Sequence, residues 1–326
     1  MKKVGWLHLS DMHISAKQLY NQKIVHKALF QDIEEMLSNK GAQIDLIFFT
    51  GDVSQNASTE DYEASLEFVS KLLEISKVAK ENIFIVPGNH DVNRHNVSRL
   101  LDEQRLRWES NDDLLKVIED KRVMDLFLKR FDNYSKFLNN LYGTTEAITH
   151  ENYYYGHLRQ LAGIEFGIVG LNSAWASHGG RQDSNHIYVS EFQVDNALSK
   201  VSSAKIKIAI LHHPLSWLYE HDMAAVENLL RLHCQVVLHG HIHRADFNLV
   251  NSLSASQIII PAGAGFAHRG YTNNYNITEL DFDKKTIRIA PRLYFDHHRK
   301  FLKDISSMGV DDRDYFETTL PISMQL

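Results

Sequence analysis

With 326 residues, 44% of them hydrophobic and 23% charged, the chain can bury a core without disulfides or a structural metal. Its single cysteine, Cys234, excludes an intramolecular disulfide framework and suits a reducing compartment. The formal net charge of −6 gives no broad electrostatic footprint for nucleic acid, and no apolar run is long enough to span a membrane.

The chain opens MKKVGWLHLSDMHIS, where Asp11 cuts the apolar run too short for a signal peptide; a cytoplasmic protein is expected. Residues 4–9 predict a buried strand. Residues 23–38 carry helical spacing through Ile24, Ala28, Leu29, Ile33, Met36 and Leu37. A second strand is predicted at 44–49, a helix at 59–75 capped by Ser58 or Thr59, and a third strand at 82–86. This β-α-β-α-β order predicts a mainly parallel sheet covered by helices.

Residues 95–160 read differently. A short helix is expected near 112–118. Val123, Phe127, Phe131, Tyr134, Leu138 and Leu141 then recur at three- and four-residue steps, one face of a long helix. We read 1–326 as a single domain with 95–160 as a helical insertion, either a substrate cap or a structural buttress. Strands are expected again at 164–171, 206–211, 235–238 and 258–260, with helices near 191–198 and between 211 and 235. Residues 275–281 and 286–293 form two further strands, joined by a turn at 283–285. A second, partly antiparallel sheet is therefore expected.

Five motifs follow predicted strands: Asp11-Met-His13, Gly51-Asp52, Gly88-Asn89-His90-Asp91, His212-His213-Pro214 and Gly240-His241-Ile-His243. Ligands of open α/β sheets bind at the carboxyl ends of strands, so one property of the fold would gather all five. Asp, Asn and His supply oxygen and imidazole ligands suited to Mn²⁺, Fe or Zn²⁺. The absence of Cys argues against a structural zinc site. Asp11 and His13 are two residues apart, as are His241 and His243, and Asp52 is the natural carboxylate to bridge two cations.

Taken singly, each motif is more simply a polar loop. His213, His239 and His8 read as packing or hydrogen-bonded residues. His178, Arg181 and Arg244 are candidate substrate contacts, with a plain turn role as the alternative for the first two. Asn56, His95 and His268 lie near motifs without an assigned role, and His297-His298 reads as a solvated strand end.

In this order, the motifs resemble the calcineurin-like metallophosphoesterase superfamily, from Asp11 to about Arg292. Gly51-Asp-Val-Ser, Asp61-Tyr62, Gly170-Leu-Asn-Ser173, His178-Gly-Gly-Arg181 and His212-His-Pro214 are similar to its cyclic-nucleotide phosphodiesterase-like branch. Gly240-His-Ile-His-Arg244 is also similar to its DNA double-strand-break repair nucleases. The resemblance implies an αββα sandwich of two mixed β-sheets flanked by helices. It implies two divalent ions, Mn²⁺ first and Fe or Zn²⁺ next. Asp11, His13 and His243 would bind one ion, Asn89, His212 and His241 the other, and Asp52 both. His90 would stabilise phosphoryl charge or protonate the leaving oxygen, with Asp91 orienting it.

The activity so implied is hydrolysis of a phosphodiester by a metal-bound hydroxide, on a nucleotide or other small diester. The alternatives are a nuclease acting on DNA or RNA, and a phosphomonoesterase, which would want an Arg clamp on a terminal phosphate. No membrane partner is expected.

Overall fold

A computed structural model describes residues 2–17, 19–96, 99–143, 153–178, 183–242, 248–251, 256–266, 272–304, 314–320 and 324. The chain begins with β1 (Lys3–Leu9), α1 (Leu19–Ser38), β2 (Leu46–Thr50), α2 (Thr59–Ser76) and β3 (Ile83–Val86). The three strands are parallel neighbours in one sheet. They are largely apolar because both faces are covered. In β1, Val4 and Trp6 face the space between the sheets, while Leu7 and Leu9 face the helices. Ser58 caps α2, its side chain accepting the Asp61 main-chain N–H.

Four helices follow: α3 (Arg99–Arg105), α4 (Asn111–Glu119), α5 (Lys121–Leu128) and α6 (Asp132–Tyr142). The single long helix expected here is interrupted by a 3-10 turn at Lys129–Phe131. The interruption has a cause in tertiary contacts: the Arg130 carbonyl accepts the Asn93 N–H, and the buried Arg130 guanidinium donates to the Ser177 carbonyl. The periodicity survives because one turn of 3-10 helix barely shifts the apolar face. The expected insertion at 95–160 overruns its helical part, since residues from Tyr154 already form β4 (Tyr154–Leu161).

The second half contains β5 (Ile164–Leu171), α7 (Glu191–Lys200), β6 (Ile206–Ile210), α8 (Glu220–His233), β7 (Val236–His239), β8 (Asn248–Asn251) and β9 (Ser256–Pro261). It ends with β10 (Asn274–Asp281), β11 (Thr286–Phe295), β12 (Lys300–Lys303) and β13 (Phe316–Thr319). One sheet runs β12-β11-β10-β1-β2-β3, with β13 on β11; the other runs β4-β5-β6-β7-β9-β8. Each mixes parallel and antiparallel pairs. An apolar layer between them includes Trp6, Phe48, Phe84, Ile168 and Ile208. Outer layers bury α1 and α2 against the first sheet and α7 and α8 against the second. The molecule is thus a two-sheet sandwich flanked by helices, and the mainly parallel sheet read from the first half is one end of a mixed one, with β3 at its edge. No helix among the described residues is long and apolar enough to cross a membrane.

Candidate metal centre

Main-chain hydrogen bonds tie the loops leaving β1 and β2 together, from Asp11 N to Gly51 O (3.0 Å) and His13 N to Asp52 O (2.9 Å). The other sheet is joined to them through side chains. His212 Nδ1 lies 2.7 Å from Thr50 O, and the His241 main-chain N–H donates to Asp11 Oδ2 at 2.9 Å. From the loop after β3, the His90 N–H donates to Asp52 Oδ1 at 2.7 Å. Parallel strands from both sheets therefore deliver their carboxyl ends to one place, as the motif spacing requires.

Asp11, Asp52, His212 and His241 each bring one ligand atom within 4.8 Å of the others; His13, Asp52 and His90 form a second such group. Asp52 is common to both. With Thr50 O fixing the proton on Nδ1 of His212, Nε2 presents a lone pair when the ring is neutral. That nitrogen lies 3.1 Å from Asn89 Oδ1, 3.2 Å from His241 Nδ1 and 3.4 Å from Asp52 Oδ2. His13 Nε2 is 3.9 Å from Asp11 Oδ1 and 4.0 Å from Asp52 Oδ2. Asp11 and Asp52 are 0% and 1% exposed. Buried carboxylates converging on imidazole nitrogens and an amide oxygen call for a cation, and this oxygen-and-nitrogen set fits a divalent metal.

Burial opposes ionisation of Asp52, yet the charges of His212, His90 and His13 hold its carboxyl well below the usual range. Burial likewise works against protonation of His212, but the Asp52 carboxylate outweighs it and raises His212 to about 9. A cation entering the site must displace that proton, so binding strengthens with rising pH.

Two glycines make the convergence sterically possible. Gly51 has φ +95°, and a Cβ there would sit 2.4 Å from His212 Nδ1. A Cβ on Gly88 would sit 2.2 Å from Asp52 Oδ1. The glycines of these two motifs are therefore space for ligands as well as turns.

The expectation that Asp91 orients His90 is not met. The buried Asp91 carboxylate accepts main-chain N–H groups of Gly88, Val53 and Ser54 and the Tyr62 hydroxyl. Burial, with Asp52 nearby, raises it to about 6. It braces the β2 and β3 loops against each other. His90 is instead held by the Gln55 carbonyl, 2.8 Å from Nδ1. Nothing in the sequence marked Gln55, whose shorter contact uses main-chain oxygen and whose side-chain amide nitrogen lies 3.4 Å from the same ring nitrogen. Asp91 is out of reach of that role because its lone pairs are committed to the loops.

His8 is a buried strand residue bonded to Thr50 Oγ1, and His213 is buried against Ser173. Burial, and then His212 and His241, keep His213 well below its ordinary pKa. His239 is buried as expected, bonded to its neighbour's carbonyl. His178 is exposed, with its main-chain N–H on Asp183. His297 and His298 lie in the exposed turn between β11 and β12. His243, Arg181, Arg244 and His268 lie outside the described residues.

The profile of the family described as calcineurin-like phosphoesterase matches residues 6–245. An uncharacterized metallophosphoesterase-like protein of Bacillus subtilis, YydB, is 22% identical over 312 residues, covering 93% of this chain and 62% of that protein. A probable glycerophosphodiester phosphodiesterase, GpdQ, of Arcobacter nitrofigilis is 25% identical over 280 residues, covering 81% of this chain and 78% of its own. Among solved structures, an archaeal phosphodiesterase aligns over 89% of this chain and 99% of its own at 16% identity, with a TM-score of 0.34.

Proposed function

The chain belongs to the calcineurin-like phosphoesterase family, a phosphoric ester hydrolase family, and we propose that it hydrolyses small phosphodiesters at a centre of two divalent ions. One observation carries this reading: Asp11, Asp52, His212 and His241, from four separated motifs, bring ligand atoms within 4.8 Å of one another. Mn²⁺ is the first candidate, with Fe and Zn²⁺ able to use the same donors. When bound, such ions acidify water to a nucleophile at neutral pH and offset charge on the phosphoryl oxygens.

The residues divide the remaining work. Asp52 belongs to both clusters of ligand atoms, which supports the bridging role; by the family's motif pattern Asp11 and His13 would serve one ion and Asn89, His212 and His241 the other. His243 completes the first set by motif. His90 has its Nδ1 on the Gln55 carbonyl, which leaves Nε2 for a phosphoryl or leaving oxygen; it donates there when the ring carries protons on both nitrogens. Asp91 serves by holding the His90 loop rather than the ring.

The helical segment goes with a single-domain reading as a buttress. Tyr134 and Tyr142 donate hydroxyls to Ile85 O and Ile83 O on β3, and Trp108 stacks on Trp175 at 5.6 Å. The buried free thiol of Cys234 goes with a reducing, cytoplasmic setting.

Purified protein with Mn²⁺ would be offered bis-p-nitrophenyl phosphate, p-nitrophenyl phosphate, cyclic AMP, a glycerophosphodiester and single-stranded DNA. Cleavage of the small diesters with little on the monoester is expected. Preference for DNA would transfer the assignment to the nuclease reading. Asp52→Asn and His90→Ala should each lower diester turnover by about 100-fold or more; near-normal turnover in both would refute these roles.

A further inference from the structure

Beside the centre lies a histidine with no role in the reading above. His213 follows His212 directly and is fully buried. Its ring centroid lies 4.7 Å from that of His212 and 4.6 Å from that of His241. One nitrogen from each of the three rings comes within 4.8 Å of the other two. Trp217 flanks the cluster, its ring 4.2 Å from His241 and 6.2 Å, roughly parallel, from His213.

In one of its tautomers His213 has the hydrogen bonds of a ligating imidazole. Ser173 Oγ accepts the His213 main-chain N–H at 3.0 Å and lies 2.9 Å from Nδ1. In the tautomer whose Nδ1–H is donated to Ser173, Nε2 carries a bare lone pair, and it has no hydrogen-bond partner among the described residues. His212 has its Nδ1 held in the corresponding place by Thr50 O, a carbonyl that can only accept. Metal-bound histidines donate their other ring N–H to an oxygen, which fixes the tautomer and aims the ligating nitrogen. A fully buried nitrogen with no partner is costly unless something binds it.

We propose that His213 is a third imidazole donor to the ion held by His212 and His241, and that this nitrogen-rich face selects Zn²⁺ over Mn²⁺ at that position. The proposal rests on the metal reading above. Its chemistry is ligand preference: imidazole suits Zn²⁺, whereas Mn²⁺ favours carboxylate and water oxygen.

Chelator-treated protein would be titrated calorimetrically with ZnCl₂ and with MnCl₂, as wild type, His213→Phe and Ser173→Ala, with circular dichroism to check the fold. His213→Phe should lower Zn²⁺ affinity at one position by about tenfold or more and leave Mn²⁺ affinity nearly unchanged. Ser173→Ala should move the ratio the same way by a smaller factor, and it decides the matter if His213→Phe does not fold. Loaded with Co²⁺, the wild type should show one more paramagnetically shifted imidazole N–H resonance than His213→Phe. An unchanged Zn²⁺ to Mn²⁺ ratio in every folded variant, with equal resonance counts, would overturn the proposal alone. A wild type that binds neither ion would overturn the metal reading with it.

Discussion

Asp11, His13, Asp52 and His241 all hold left-handed backbone, with φ of 50°, 44°, 53° and 70°. A non-glycine residue there costs of order 1–3 kcal/mol, and four such residues at one site make the strain part of its construction. Each left-handed turn at a strand end swings a side chain back toward the shared space. The sharpest constraint falls on Gly51, whose added Cβ would overlap the His212 ring. Gly51→Ala should destabilise the protein by more than about 1 kcal/mol and abolish metal binding, read by urea unfolding and by metal titration. Wild-type metal affinity in that variant would contradict the steric argument. The candidate ligands were legible in the sequence because their motifs are short and local. The strain was not, since Asp or His in a left-handed turn leaves no mark in composition. The partner of His90 was also hidden, because it is a main-chain carbonyl of Gln55.

At the scale of elements, strong periodicity and caps carried the reading of α1 and α2, with Ser58 as one of the two N-caps named for α2. Ser58→Ala should cost about 1 kcal/mol, the worth of a typical N-cap, seen as a lower urea midpoint with the slope unchanged. A stability equal to wild type would mean that the Asp61 N–H finds another acceptor. The helix broken between α5 and α6 escaped the sequence because its cause, the buried Arg130 and its carbonyl's bond to Asn93, joins residues far apart in the chain. Strand β4 escaped because it is an edge strand whose outer half is polar and solvent-facing, Tyr154–Leu161 alternating unevenly. The late strands β12 and β13 are each four residues long, too short to show a period; pairing with β11 defines them.

At the scale of the whole molecule, the sandwich interior carries a titration of its own. His8 is fully buried, and desolvation, followed by the nearby His239, lowers its pKa from 6.5 to about 3. A pKa lowered in the folded state contributes stability above the ordinary value, and that stability is lost as pH falls toward the folded value. Wild type should therefore lose about 1.4 kcal/mol per pH unit through His8 between pH 6 and 4. His8→Gln should lack that increment of slope in denaturant unfolding measured across the same range. Parallel slopes for the two proteins would show that His8 does not titrate as argued. The two-layer architecture followed from the motif resemblance and the alternation of strands and helices. The meeting of five loops at one edge needed both sheets together, since His212 and His241 approach Asp11 and Asp52 only across the sandwich.

The most direct test of the account is the metal content of the protein against that of Asp52→Asn. Both would be stripped with chelator, reloaded with Mn²⁺, washed and measured by elemental analysis, with turnover of bis-p-nitrophenyl phosphate followed on the same samples. The account predicts about two ions per wild-type chain and restored turnover, with ion binding and turnover both lost or sharply reduced in Asp52→Asn. Turnover by the stripped wild type, or equal ion content in the two proteins, would contradict it.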